Sequence, residues 1–315
     1  MTTSFSTRAS SLAWALFAAT AAACGSVMDS RQLPDGGTPA PPTDAAPPSD
    51  SAPVGARCDR GKPFAAPTPV AGVNTADDEI GFALTRDELT GFVTRVVQDP
   101  VPSGQLFASR RGQLTEPFGA PSQDATRPLN DIVGDELLAY PSGDGLTVYF
   151  SRGGGGADPQ LMTATRASAG AAFRADDTVF VEGAGVPGSS PILSADGETL
   201  YWVDPTSGLH SASRQPDSGH FTTQLDLSSD EVARAVLSAD ELTLYYANSA
   251  VSDILVATRA IKTTVFDTGT PLTGLGTVAG DAPVFLTPDG CVLYLKSNRP
   301  GGLGGDDLWQ AVRPR

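Results

Sequence analysis

Apolar and polar residues alternate along this chain in a short unit that recurs five times. The most regular copies are Pro191–Trp202, Ala235–Tyr246 and Pro283–Tyr294; looser ones are Phe82–Phe92 and Tyr140–Phe150. Each opens on an apolar run such as Pro191-Ile192-Leu193, turns around an aspartate such as Asp196, and continues as an alternating strand such as Thr199-Leu200-Tyr201-Trp202. This is the pattern of a β-hairpin. A third strand ends each unit's core in Ala-x-Arg: Ala108-Ser109-Arg110, Ala164-Thr165-Arg166, Ala212-Ser213-Arg214, Ala257-Thr258-Arg259 and Ala311-Val312-Arg313. In four copies a phenylalanine then opens a short fourth strand: Phe118, Phe173, Phe221 and Phe266. Four antiparallel strands in a unit of about 50 residues is the size of a propeller blade. The predicted fold is therefore all-β, a five-bladed β-propeller of four-stranded antiparallel blades.

The fifth unit lacks its fourth strand, and the front of the chain supplies a match. Lys62–Val70 resembles Glu116–Pro121, with Phe64 in the place of Phe118. An N-terminal strand that completes the last blade closes the ring and removes an exposed sheet edge. The expected product is a monomer.

Charge narrows the function classes. The 315-residue chain has a formal net charge of -15, which opposes binding to nucleic-acid phosphates. His210 and His220 are its only histidines, too few for a histidine-based zinc site. No helix-borne or P-loop chemistry is visible. Gly153–Gly156 and Gly301–Gly305 lack the Lys-Ser/Thr of a phosphate loop and each joins two strands.

Residues 1–23 read as a signal peptide, with Arg8 ahead of an apolar run from Leu12 to Ala23. Two cleavage readings compete. Ala21-x-Ala23 fits an ordinary signal peptidase, whereas Ala22-Ala23-Cys24 resembles a lipoprotein box that would put a lipid on Cys24. Residues 24–57 are rich in Pro, Ala and Asp, cannot bury a core, and read as a disordered tether; residues 58–315 hold the propeller. An exported protein meets oxidising conditions. Cys58 lies just ahead of the closing strand and Cys291 in the blade it completes, so a Cys58–Cys291 disulfide is expected as a clasp.

The pattern Ser-x-Asp-Gly, Leu-Tyr-Phe/Trp, then Asp-Leu-x-x-Ala-x-Arg resembles the WD40-like PD40 repeats of TolB-type propellers. The resemblance covers residues 59–315 and is clearest from Thr287-Pro288-Asp289-Gly290 to Asp306-Asp307-Leu308-Trp309. It implies a propeller with a binding role in the bacterial cell envelope, its partner a protein or glycan there. A Pro- and Asp-rich leader before such repeats resembles those of myxobacterial lipoproteins. Gly25 and Ser26 after Cys24 favour the outer membrane over the inner one, with a periplasmic or secreted protein as the alternative.

Two rims carry the candidate residues. At the hairpin-turn rim, Asp87, Asp144, Asp196, Asp240 and Asp289 are expected to support their turns and to pair with Arg110, Arg166, Arg214, Arg259 and Arg313. At the opposite rim, the crossings between blades carry Asp77, Asp78, Glu79, Asp131, Asp135, Glu136, Asp230, Glu231 and Asp281. Acids gathered at a channel mouth attract cations. They read as a calcium or basic-partner site, or else as solvated loop acids. No catalytic residue is assigned. The first functional reading is an envelope-tethered binding propeller, touching the membrane only through its lipid. The rivals are a glycoside hydrolase or lyase drawing on Asp78, Glu79, Asp135, Glu136 and Glu231, and a structural envelope protein.

Overall fold

The structure, a computed structural model, describes residues 57–98, 102–130, 135–154, 157–178, 180–181, 184–185, 188–204, 208–216, 220–228, 231–248, 253–275 and 280–315. The signal peptide, Cys24 and all of the tether except Arg57 lie outside the described residues. Among those described, no helix is long and apolar enough to cross a membrane.

The chain begins with a two-residue strand, β1 (Thr68–Pro69). The first blade is β2 (Asp78–Leu84), β3 (Thr90–Gln98) and β4 (Pro102–Arg110), followed by a single helical turn, α1 (Arg127–Asn130). The second is β5 (Asp135–Pro141), β6 (Thr147–Gly154), β7 (Ala157–Thr165) and β8 (Arg174–Thr178). Two short strands, β9 (Phe180–Val181) and β10 (Ala184–Gly185), lead into the third: β11 (Ser189–Leu193), β12 (Thr199–Asp204), β13 (Gly208–Arg214) and β14 (Phe221–Asp226). The fourth is β15 (Arg234–Leu237), β16 (Thr243–Ala247), β17 (Leu255–Thr258) and β18 (Thr270–Pro271). The fifth is β19 (Ala282–Leu286), β20 (Val292–Ser297) and β21 (Asp307–Val312), with β1 as its outer strand. These five sheets form a five-bladed propeller. The first blade departs from four strands: at its outer edge only an Ala108–Ser122 bridge stands where a fourth strand would be. The third gains β9 and β10, and β9 lies parallel to β14.

The turn between the first and second strands is built alike in every blade. The hydroxyl of Thr85, Ser142, Ser194, Ser238 or Thr287 donates to the aspartate two residues on, at 2.5–2.6 Å. That carboxylate accepts the backbone N–H a further two residues on, for example Leu146 at 2.9 Å and Cys291 at 3.0 Å. Each turn also needs one residue at positive φ. Gly145, Gly197 and Gly290 fill that position in three blades, and Glu88 and Glu241 in the other two. Glutamate is strained there, and both are held by their carboxylates. Glu88 meets Arg57 at 2.9 Å; Glu241 meets Lys262 at 2.5 Å and accepts the Tyr201 hydroxyl.

The expected aspartate–arginine pairs are replaced by a different contact. The arginine closing each third strand donates its Nε–H to the carbonyl of the positive-φ residue: Arg111 to Glu88, Arg166 to Gly145, Arg214 to Gly197, Arg259 to Glu241 and Arg313 to Gly290, at 2.7–3.2 Å. In the first blade this residue is Arg111, one place beyond Arg110, whose side chain reaches the Ala169 carbonyl instead. Each guanidinium then lies over the blade's outer phenylalanine: Phe118, Phe173, Phe221, Phe266 and, in the last blade, Phe64 of the N-terminal segment, at 3.9–4.7 Å. Finally it reaches the preceding blade. Arg214, Arg259 and Arg313 donate to the hydroxyls of Tyr149, Tyr201 and Tyr245, the charge of Arg111 acts on Tyr294, and Arg166 sits 5.8 Å from the Phe92 ring. One side chain thus ties a turn, an outer strand and a neighbouring blade.

The joint between the last and first blades is reinforced. Thr68 and Pro69 of β1 pair with Gln310 and Trp309 of β21, and Asn74 exchanges two 2.9 Å bonds with Leu308. Cys58 and Cys291 are joined by a disulfide that spans 233 residues. Arg57 bridges Glu88 and Asp289, so it belongs to the folded unit.

Two outcomes follow for stability. Arg259→Lys should lower the urea-unfolding free energy by about 1–3 kcal/mol, since lysine cannot serve the Glu241 carbonyl, Tyr201 and Phe266 together. Arg110→Lys should change it by no more than about 0.5 kcal/mol. The second outcome concerns acid. The Ser142, Ser194 and Ser238 hydroxyls, helped by backbone N–H groups, hold Asp144, Asp196 and Asp240 below the usual carboxylate range. Carboxylates lowered in the fold contribute stability that is present above their unfolded pKa and lost as pH falls through the folded one. Unfolding followed by circular dichroism should therefore show stability dropping below about pH 4, with a shallower slope in the triple Ser→Ala variant.

Candidate functional site in the central channel

The inner strands β2, β5, β11, β15 and β19 surround the channel. Four of them bulge, between Glu79 and Gly81, Leu137 and Ala139, Ser189 and Ile192, and Pro283 and Phe285. A bulge bends its strand and takes one residue out of the ladder. Leu138 and Ser190 consequently stand at φ of 45° and 52°. Only β15 runs without one.

Tyr140 plugs the middle. Its ring lies 5.8 Å from Phe285 across the channel, and with Ile192 it lines two cavities, one on each side. Burial pushes its hydroxyl up to about 12. The cavity toward the hairpin turns measures about 80 Å³. Leu84, Tyr140, Ile192, Leu237, Phe285 and Leu286 form its apolar wall, and Arg86, Ser194, Ser238 and Glu241 its polar edge. Arg86 crosses part of this mouth from the first blade to donate to the Ala195 carbonyl of the third. Gly143 lets it pass, because a Cβ there would lie 3.2 Å from Arg86 Nε.

The cavity on the other side measures about 20 Å³ and takes residues from all five blades, among them Phe82, Leu138, Ser190, Arg234 and Pro283. Arg234 begins β15 and spans the channel to donate from Nη1 to the Ile80 carbonyl of the first blade at 2.5 Å. Ile80 is the residue that the β2 bulge leaves outside the ladder. Sequence reading missed Arg234. Its signal was position: an arginine where the other inner strands carry apolar or small residues.

Among the described crossing acids, most are engaged within the fold. Asp78 accepts the Gly305 and Asp306 N–H groups across the first–last joint, at 3.0 and 2.9 Å. Glu79 is buried against Arg95 at 2.8 Å and accepts both N–H and Oγ–H of Thr75. Its pKa is raised, burial outweighing those bonds. Asp281 is buried against Arg299 at 3.0 Å. Asp77 packs its carbonyl on the Gly304 loop, and Glu231 is exposed. Asp131 and Asp230 lie outside the described residues, as do the side chains of Asp135 and Glu136, whose backbones start β5. Among the described residues, no three His, Cys, Asp or Glu side chains converge as they would around calcium. Among the described residues, the larger of these two cavities lies toward the turn rim, opposite the rim that carries the acids.

No family model matches this chain, and no curated protein does. Solved propellers share the fold. CoXyl43, a family 43 β-xylosidase/α-arabinofuranosidase from a compost microbial metagenome, is 11% identical with a TM-score of 0.53, over 76% of this chain and 92% of its own. TolB from Acinetobacter baumannii is 15% identical with a TM-score of 0.43, over 75% of this chain and 54% of its own. This chain thus spans about half of TolB. A periplasmic gluconolactonase from Pseudomonas aeruginosa, PpgL, is 18% identical with a TM-score of 0.41, over 74% of this chain and 73% of its own. At such an identity the likeness to CoXyl43 shows the fold alone.

Tyr140 makes the channel sensitive to alkali. A phenol whose pKa is raised in the fold favours the folded state below its unfolded value and loses that advantage as pH rises through the folded one. Stability should therefore fall between about pH 10 and 12. Tyr140→Phe should reduce that loss in alkaline melts, with Tyr201 and Tyr294, also raised by burial, keeping the remainder.

Proposed function

We propose that this chain is a non-catalytic binding propeller of the bacterial cell envelope, anchored by a lipid on Cys24, which docks a protein partner on its hairpin-turn face. The supporting observation is the recess there. An apolar floor with a few polar groups at its edge, fed by every blade, is the form of a pocket that takes an anchoring side chain. At about 80 Å³ it offers several times the space one water needs.

Glycoside hydrolysis needs two carboxyl groups facing one bond. Among the described residues lining the two channel cavities, Glu241 is the one carboxylate, and Tyr201 and Lys262 already hold it. The hydrolase reading therefore has less support than the binding one.

A photo-crosslinker at Ala239, on the recess edge, should capture one discrete envelope protein in native cells. The same group at Leu303, on an exposed loop of the last blade, should not. Filling the recess by Leu237→Arg should remove the adduct while leaving the circular dichroism spectrum unchanged. Identical adducts from both positions, or survival after Leu237→Arg in folded protein, would overturn the docking face. Hydrolysis of envelope polysaccharide by the purified protein would overturn the non-catalytic reading. Palmitate labelling that persists in Cys24→Ala would overturn the anchor.

A further inference from the structure

The cavity on the far side of Tyr140 carries a chemistry opposite to the acidic character of the chain. Two donors face it. Arg234 presents a guanidinium with five N–H groups, of which the Ile80 carbonyl takes one. Ser190, on the neighbouring inner strand, is 6% exposed, and its hydroxyl has no partner among the described residues. Both line the same space, whose other walls are Phe82, Leu138, Pro191 and Val284.

A cation among apolar walls is costly unless a negative charge accompanies it. The described carboxylates do not supply one by contact. Glu79 is engaged by Arg95 and Thr75, and Asp306, which acts on Arg234 through space, is bonded to Lys296 at 2.8 Å. Arg234 is half-buried, and the loss of water around its guanidinium lowers its pKa. The fold also keeps Ser190 at a left-handed φ of 52°, a strained conformation for serine, in the wall of this cavity.

We infer that the Arg234–Ser190 layer of the channel is a binding site for a small anion of carboxylate size. Arg234 supplies the charge and a paired N–H face, and Ser190 a third donor. About 20 Å³ admits one water-sized group, the space for one carboxylate oxygen of formate or of a longer molecule, and is too small for a sugar ring or a phosphate ester. Tyr140 and Ile192 separate this site from the recess, so it stands independently of the docking face.

Sodium formate is the probe, added to the full chain in chloride-free buffer, with sodium isethionate, whose anion is too large for the cavity, matching ionic strength. Formate should raise the melting temperature in a saturable way and isethionate should not. Calorimetric titration should give affinity about tenfold weaker or worse in Arg234→Gln, which keeps a donor for Ile80 without the charge, and about threefold to tenfold weaker in Ser190→Ala. Ser190→Ala removes only an unpaired hydroxyl, so it tests the site even if Arg234→Gln fails to fold. A melting shift that is linear in concentration, equal for both salts, or unchanged in Ser190→Ala would overturn the site and leave a cavity that holds water. Triglycine with a free C-terminus, set against its amide, separates the sources. Competition with formate by the free acid alone assigns the site to a chain-end carboxylate, and competition by neither assigns it to a free anion.

Discussion

The arginine at the end of each third strand is the contact on which the propeller depends. Blades are small sheets with little core of their own, and neighbours must be fixed to each other at both depth and angle. A guanidinium does this because it is flat, permanently charged and has donors in two directions. One edge bonds the carbonyl of its own hairpin, its face covers an outer phenylalanine, and its far end meets an aromatic ring of the preceding blade. The closing blade follows the same rule with a borrowed part, since Arg313 covers Phe64 from the other end of the chain. Ring closure is thus the repeat's own chemistry, satisfied by residues far apart in sequence.

Repetition at the rim frees the channel to vary. The walls near the axis are not five equal copies: one position is Arg234, another Ser190, another Leu138. Arg86 and Arg234 each cross from one blade to a non-adjacent one, and Tyr140 fills the space between them. Any selective chemistry of this molecule lies where the blades differ, because identical residues around an axis offer no direction.

Much of this was legible in the chain. Hairpin turns are local, so Ser-x-Asp-Gly followed by an alternating strand, as at Ser194–Trp202, fixes both the turn and its register. The match of Lys62–Val70 to Glu116–Pro121 located the closing strand for the same reason. The partner of each arginine was less legible, because aspartate and arginine attract on paper while the turn had already consumed the carboxylate. Arg110 and Arg111 stand side by side, and the constant spacing of seven in Arg166–Phe173, Arg214–Phe221 and Arg259–Phe266 selects Arg111, which lies seven before Phe118. The acids at the crossings gave no comparable sign. Whether Asp78 and Glu79 face solvent or hold a joint depends on backbone N–H groups and an arginine brought there by folding. The bulges that open the inner strands were equally silent, since they answer to the curvature of the ring and not to a residue pattern.

The disulfide has a mechanical meaning that depends on its place in the chain. β1 is a two-residue strand with a few backbone bonds on either side of it, and a pull along the chain from its N-terminal side would load those bonds in turn. Cys58 lies ahead of β1, so tension entering there passes through the covalent link to Cys291 and into the body of the last blade. The closing strand stays unloaded. A ring sealed by so short a strand can in this way hang from its own chain under shear without opening.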